Sequence, residues 1–391
     1  MYSTRRDFLK LTSLFALSGS LPLLQACSEN FAKNPEAPLR IGYLPITDAT
    51  PLLVATDQKF FEKRGIVTEK PVMFRSWAQL VEAFISGQVN VIHLLSPMAI
   101  WTRYGSTAPA KAVMWNHMAG SALTVSPNIN SITELGGKTI AIPFWYSIHN
   151  VVLQHILREN QLTITEKPPQ NIKEVRLVVM APSDMVAALA TQSISGFIVA
   201  EPFNAIAEDK RVGKILRFSA DVWKDHACCL TLMHDHDINN RPEWVDGIVD
   251  ALVEAQIWSN HHRVQTAHLL SKQGQHKFMP HEEHVLKEVL APSTSNWQRY
   301  VDNGIIQHPE WQQNRIDFQP YPYPSYTESL VELLKQTHIA GVNKFLHELN
   351  SKEVARDLVD DRFVINALTR QNAFAEFNLP VSLSREELII V

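Results

Sequence analysis

Leu39-Arg40-Ile41-Gly42-Tyr43-Leu44-Pro45-Ile46-Thr47-Asp48-Ala49-Thr50-Pro51-Leu52-Leu53 decides how the chain folds. An apolar run over 39–44 leads into a loop carrying Thr47 and Asp48. Residues 52–64 then repeat their apolar side chains at helical spacing and stop at Gly65. The stretch reads strand, loop, helix. Working outward, the alternation repeats: strand 68–74, helix 78–86, strand 89–95, helix 97–104, strand 111–115. Strands separated by helices of about ten residues predict right-handed crossovers and a largely parallel sheet.

A second cycle begins near Ser131, with strands at 138–142, 175–180 and 196–200. Helices follow at 149–160, at 183–191 with Ser183 as cap, and at 203–210. Two α/β lobes of ordinary size are expected. Beyond a last strand at 227–233, helical periodicity dominates at 244–258, 264–271, 281–289, 326–337 and 354–368. Such a tail must pack on something, and the first lobe is the expected platform. The first lobe then comprises 39–122 and 229–391, the second 123–228, with connections near 121–125 and 225–229.

The 391 residues are 45% hydrophobic and 19% charged, a balance that excludes disorder. With 36 Lys+Arg against 40 Asp+Glu there is no basic excess to neutralise phosphates, so nucleic acid is excluded as a partner. Three cysteines, Cys27, Cys228 and Cys229, rule out a disulfide scaffold and any four-cysteine metal site. Residues 1–26 contain the pair Arg5-Arg6 and an apolar stretch too short to span a membrane, ending at Ala26 before Cys27. They resemble a twin-arginine lipoprotein signal, after which Cys27 would be acylated and residues 27–38 would form a flexible linker. Removing 1–26 takes away Arg5, Arg6 and Lys10 against Asp7 alone and leaves an exported, tethered body of formal charge -6.

Several motifs carry less than they suggest. Gly136-Gly137-Lys138-Thr139 is not a phosphate loop, because Ile132 stands where the first glycine is needed; a helix stop leading into a strand explains it. His281 and His284 lie three apart rather than four, and His234-Asp235-His236 reads as a surface loop. Cys228-Cys229 falls in a predicted strand, where neighbours face opposite ways, so buried free thiols are expected.

The informative positions are strand ends: Thr47-Asp48, Ser76-Trp77, Ser96, Ser147-Ile148-His149 and Glu201-Pro202. In open α/β sheets ligands sit outside the carboxyl ends of strands, where helix N-termini offer unpaired N–H groups. Thr47, Ser96 and Ser147 also read as caps or turn residues. Glu201 directly follows the apolar run 196–200, so a carboxylate lies close to a buried sheet and wants a cation or a hydrogen-bond donor.

Gly42 to Leu53, Arg75-Ser76-Trp77-Ala78, Ile148-His149-Asn150, Ala200-Glu201-Pro202-Phe203-Asn204-Ala205 and the late Leu358-Val359-Asp360-Asp361-Arg362-Phe363-Val364 together resemble the substrate-binding proteins of nitrate-, bicarbonate- and taurine-type ABC importers, most nearly the nitrate/bicarbonate branch. The resemblance implies a two-lobed periplasmic binding protein of type II with a helical C-terminal extension. It also implies a monomer that closes over a small polar ligand and delivers it to a membrane permease driven by an ATPase. It places Trp77, His149 and Asn150 at the pocket, and Ser121 where nitrate binders have glutamine. Glu201 falls where nitrate binders have lysine and bicarbonate binders have a glutamate working with calcium. A carboxylate about 4 Å from a bound anion repels it by several kcal/mol, so calcium at Glu201, a protonated ligand or a neutral one would be needed. The expected ligand set is Thr47, Asp48, Trp77, Ser96, Ser121, His149, Asn150 and Glu201, and the ligand a nitrate- or bicarbonate-type anion or a sulfonate. The alternatives are a binder of a thiamine pyrimidine precursor, a pyrimidine-building enzyme on the same scaffold, and a tethered sensory module.

Overall fold

The computed structural model describes residues 37–311 and 314–390, so the expected signal, Cys27 and most of the linker lie outside the described residues. In chain order the strands are β1 (Ile41–Tyr43), β2 (Val72–Met73), β3 (Val91–Leu95), β4 (Ala110–Trp115), β5 (Met118–Ala119), β6 (Ser121–Val125), β7 (Thr139–Ile142), β8 (Thr163–Thr165), β9 (Glu174–Val179), β10 (Gly196–Ala200), β11 (Lys214–Phe218), β12 (Cys229–His234) and β13 (Ile316–Asp317). They make a first sheet in the order β2-β1-β3-β12-β4, a second in the order β11-β6-β10-β7-β9-β8, and a small pair β13-β5.

Within the first sheet β1 is parallel to β2 and β3, and β12 runs against β3 and β4. Within the second, β7 is parallel to β10 and β9, β8 is parallel to β9, and β6 runs against β10 and β11. In each sheet the strand that opposes its neighbours is the one the chain enters on arriving from the other sheet. The helices between parallel strands are α1 (Thr50–Asp57), α2 (Trp77–Ile85), α3 (Ser96–Ile100), α4 (Ile148–Glu159), α5 (Pro182–Ala190) and α6 (Phe203–Asp209). Covered strands need apolar side chains on both faces, and β3 and β10 are buried along their whole length. α5 is capped by Ala181, not Ser183, because Pro182 takes its first position, where the missing N–H costs nothing.

The chain passes between the sheets at residues 116–120 and 219–228. The passages touch: Met118 bridges Ala227, and the Ala119 N–H donates to the His226 carbonyl at 2.9 Å. Residues 121–125, expected to form the first connection, are instead β6. The chain has already turned at Ala119 and Gly120, whose φ values of 60° and 81° break the strand there.

The tail holds α7 (Asp235–Asn240), α8 (Pro242–His261), α9 (Arg263–Leu270), α10 (Glu283–Leu290), α11 (Thr294–Asp302), α12 (Pro324–Gln336), α13 (Ser351–Leu358) and α14 (Arg362–Arg370). The helix expected over 354–368 is two, because Val359 bridges Ala112 and the Asp360 N–H donates to the Ala112 carbonyl at the edge of the first sheet. α8 packs on α1 and α14. The tail is not confined to the first sheet, however: Tyr300 of α11 and Ile306 pack against Ala122, Ile215 and Phe218 of the second.

Candidate functional site

Local sequence delivers polar groups from both sheets to one place. The loop after β1 turns through Thr47–Ala49, burying Asp48. α2 starts at Trp77, with Ser76 Oγ accepting the Gln79 N–H. β3 carries His93. α4 is capped by Ser147, whose Oγ accepts the Asn150 N–H at 3.1 Å, and sets His149 in its first turn. The two passages supply His117, His226 and Cys228, and β6 and β12 begin with Ser121 and Cys229.

Asp48 Oδ2 lies 3.1 Å from His117 Nε2 and accepts the Cys229 S–H at 3.2 Å. Cys228 Sγ lies 3.9 Å from His149 Nε2, which is 2.9 Å from Ser121 Oγ. Trp77 meets His93 edge-on with ring centroids 5.4 Å apart. All these side chains are buried, none more than 2% exposed. The two thiols are free but do not oppose each other as adjacent strand residues would. Only Cys229 belongs to β12; Cys228 still lies in the passage, its carbonyl accepting the Ser96 N–H and hydroxyl at 2.9 and 3.0 Å.

Electrostatics divides the cluster. Burial alone would raise the Asp48 carboxyl, yet the adjacent His117 imidazole outweighs it and brings it down to about 2. Burial would likewise lower His117, and Asp48 instead lifts it to about 10. His93 accepts the Leu44 N–H on Nε2 and therefore carries its proton on Nδ1; burial pushes it down to about 4. Burial pushes His226 down to about 3. Burial raises the Cys228 thiol, but the Cys229 S–H, His149 and His117 bring it down to about 5, while burial and Cys228 push Cys229 up.

Asp48 Oδ1, Trp77 Nε1 and the Nδ1 atoms of His93, His117, His149 and His226 are buried without a hydrogen-bond partner among the described residues. Each such group costs about 1–3 kcal/mol, and folded proteins rarely gather several in one place. The arrangement is suited to a ligand that supplies the missing partners.

The structure thus brings Asp48, Trp77, Ser121 and His149 together. Ser96 borders them through the Cys228 carbonyl. Thr47 stands at the rim, its N–H and hydroxyl both donating to the Glu201 carbonyl at 3.0 and 3.2 Å and tying the β1 loop to the end of β10. Asn150 is turned away from the cluster: its Nδ2 donates to the Trp145 carbonyl at 2.8 Å, and its Oδ1 accepts from Gln154. Glu201, where calcium was expected, is held by protein groups. Its Oε1 pairs with Arg315 Nη1 at 2.9 Å and its Oε2 accepts the Ala205 N–H at 3.1 Å, so both carboxylate oxygens already have partners. Burial raises this carboxyl against the pull of Arg315. Sequence reasoning missed His93, His117 and Arg315; a histidine inside the apolar run of β3 was the one local signal.

Two α/β sheets joined by two touching passages, with polar side chains from both meeting beside them, make a periplasmic binding protein fold. The chain belongs to the NMT1-like family, whose model matches residues 32–271. It is 26% identical over 258 residues to the nitrate/nitrite binding protein NrtA of Nostoc, covering 61% of this chain and 57% of that one. It is 27% identical over 242 residues to the bicarbonate transport ATP-binding protein CmpC of Synechococcus elongatus, covering 56% of this chain and 34% of that one. The chain therefore spans between about a third and two thirds of the length of the curated relatives it matches. The fold superimposes on the crystal structure of the periplasmic nitrate-binding protein NrtA of Synechocystis with a TM-score of 0.70 and 18% identity, over 90% of this chain and 93% of that chain.

Proposed function

We propose that this chain is the extracytoplasmic solute-binding component of an ABC importer, capturing one small polar solute between its two sheets and delivering it to a permease driven by an ATPase. The observation that carries the reading is the convergence of Asp48, His117, His149, Ser121 and Trp77, from both sheets and a passage, on a buried cluster with unpartnered donors and acceptors. Entry to so closed a site requires the sheets to part, and the contacts of Thr47 with the Glu201 carbonyl are the latch that would open. Export through a twin-arginine signal and acylation of Cys27 would hold the protein at a membrane beside its permease. Related proteins named for nitrate, nitrite and bicarbonate make these oxyanions, with sulfonates, the first solutes to test.

Thermal unfolding of the purified chain against nitrate, nitrite, bicarbonate with and without calcium, and alkanesulfonates tests the reading. A solute at about 100 times its dissociation constant adds about 2.7 kcal/mol, a rise of about 2 °C or more for a protein of this size. Turnover of any of these compounds would overturn it.

A further inference from the structure

We infer that Asp48, His117, Cys228 and Cys229 form a binding site for one divalent metal ion of the zinc type. The inference rests on reading this crevice as the solute site and fixes the class of solute. One ligand atom from each of the four residues lies within 4.8 Å of the others, and all four residues are buried. A tetrahedral zinc ion with bonds of about 2.0–2.3 Å holds its donors roughly 3.3–3.8 Å apart. Asp48 Oδ2 is already 3.1 Å from His117 Nε2 and 3.2 Å from Cys229 Sγ, so closing the set needs movements of about 1 Å or less.

The donor set names the kind of ion. Two sulfurs, one imidazole nitrogen and one carboxylate oxygen suit a borderline-soft cation in four-coordination. Calcium asks for six to eight oxygens and magnesium for an octahedron of them, and one carboxylate supplies neither. An oxyanion fits less well: the His117 imidazole is already paired with the Asp48 carboxylate, and no lysine or arginine among the described residues pairs with Asp48, His117, His149, Cys228 or Cys229. A second observation points the same way: the buried Asp48 Oδ1, an acceptor, has no hydrogen-bond partner among the described residues.

Binding replaces the S–H bonds of Cys228 and Cys229 by sulfur–metal bonds and removes any proton from His117 Nε2; those protons pass to solvent, and no electron moves. Three of the four ligands stand on or at the end of the two passages, and Asp48 stands on the first sheet's loop. Occupancy would therefore clamp both passages to the first sheet and favour the closed form.

The test uses the purified chain, reduced and stripped of metal, titrated with zinc against a chromophoric chelator and separately with cobalt(II). The expected result is one zinc per chain and, with cobalt, thiolate-to-metal charge-transfer absorption with the visible bands of a tetrahedral site. Cys228→Ser, Cys229→Ser and His117→Gln should each weaken zinc binding more than tenfold and remove or shift the cobalt bands, with far-UV circular dichroism reporting whether each variant folds. The cobalt spectrum of the unsubstituted chain decides even if every variant misfolds: bands of an all-oxygen and nitrogen site, or no binding, overturn the inference. If zinc does not bind while nitrate, bicarbonate or a sulfonate raises the unfolding temperature, the metal site falls and the solute-binding reading stands. If none of them binds, both fall.

Discussion

Glu201 Oε1 stands 2.9 Å from Arg315 Nη1, with both side chains closed off from water. The pair joins the end of β10 to the segment that precedes β13, and Arg315 also reaches Glu208 Oε2 at 2.8 Å. Breaking a buried pair leaves one uncompensated charge and costs about 3–5 kcal/mol, whereas replacing both partners by neutral groups of similar size costs much less. Arg315→Met should therefore lower stability by that amount in chemical unfolding, and Glu201→Gln with Arg315→Met should recover part of it. Equal losses in single and double variants would remove the pair from the account. Calcium should leave the unfolding temperature of the solute-free protein unchanged.

Trp77 buries its indole, and its Nε1 has no hydrogen-bond partner among the described residues. If that N–H serves the solute, Trp77→Phe keeps most of the apolar wall, removes an unsatisfied donor and takes one hydrogen bond from the complex. The solute-free protein should lose little or no stability, while affinity falls by about tenfold, the equivalent of one hydrogen bond of about 1.4 kcal/mol. Parallel titration and unfolding of the two proteins checks both halves, and a drop in stability with unchanged affinity would make Trp77 a packing residue only.

Gly136 and Gly137, the residues that imitate a phosphate loop, have a structural task. A Cβ on Gly136 would come within 1.7 Å of the Ile172 carbonyl oxygen, while Gly137 sits at φ 78° with open space around it. Gly137→Ala should cost only the left-handed penalty of about 1–2 kcal/mol. Gly136→Ala must push backbone aside and should cost more. Urea unfolding of both variants orders them, and the reverse order would contradict the packing described for this turn.

Burial lowers the imidazoles of His234 and His281, despite Asp237 near the first and the Pro45 carbonyl bonded to the second. Their folded affinity for protons is thus below the unfolded value of about 6.5. Below that pH the unfolded chain takes up protons the folded chain refuses, so stability should fall as pH drops from about 7 to about 5. His234, stacked on Phe84 at 3.9 Å, contributes to that slope. His234→Gln should flatten it in unfolding measured across this range; an unchanged slope would place the titration elsewhere.

The alternating strands were legible because a sheet covered on both faces demands uninterrupted apolar runs, and the run 196–200 coincides with β10. β6, β8 and β11 were not foreseen: Ser121-Ala122-Leu123-Thr124-Val125 mixes polar and apolar residues, and β8 is short and partly exposed. Four expected ligand residues, Asp48, Trp77, Ser121 and His149, meet because strand ends converge in such folds whatever the details of packing. The orientation of Asn150 depends on Gln154 one turn later in the same helix, and Arg315 lies 114 positions from Glu201. The two thiols are buried and free as expected, but where each points turns on whether the strand begins at residue 228 or 229, a single-residue question that periodicity does not answer.

The central claim is that one small solute is held between the sheets with His149 among its partners. Native mass spectrometry of the purified chain with each candidate solute, oxyanion or metal ion, compared with His149→Ala under the same conditions, tests it most directly. One bound solute per chain is expected, and its loss in the variant, with the variant still folded by circular dichroism. Full retention by His149→Ala, or no adduct with any candidate, would contradict it.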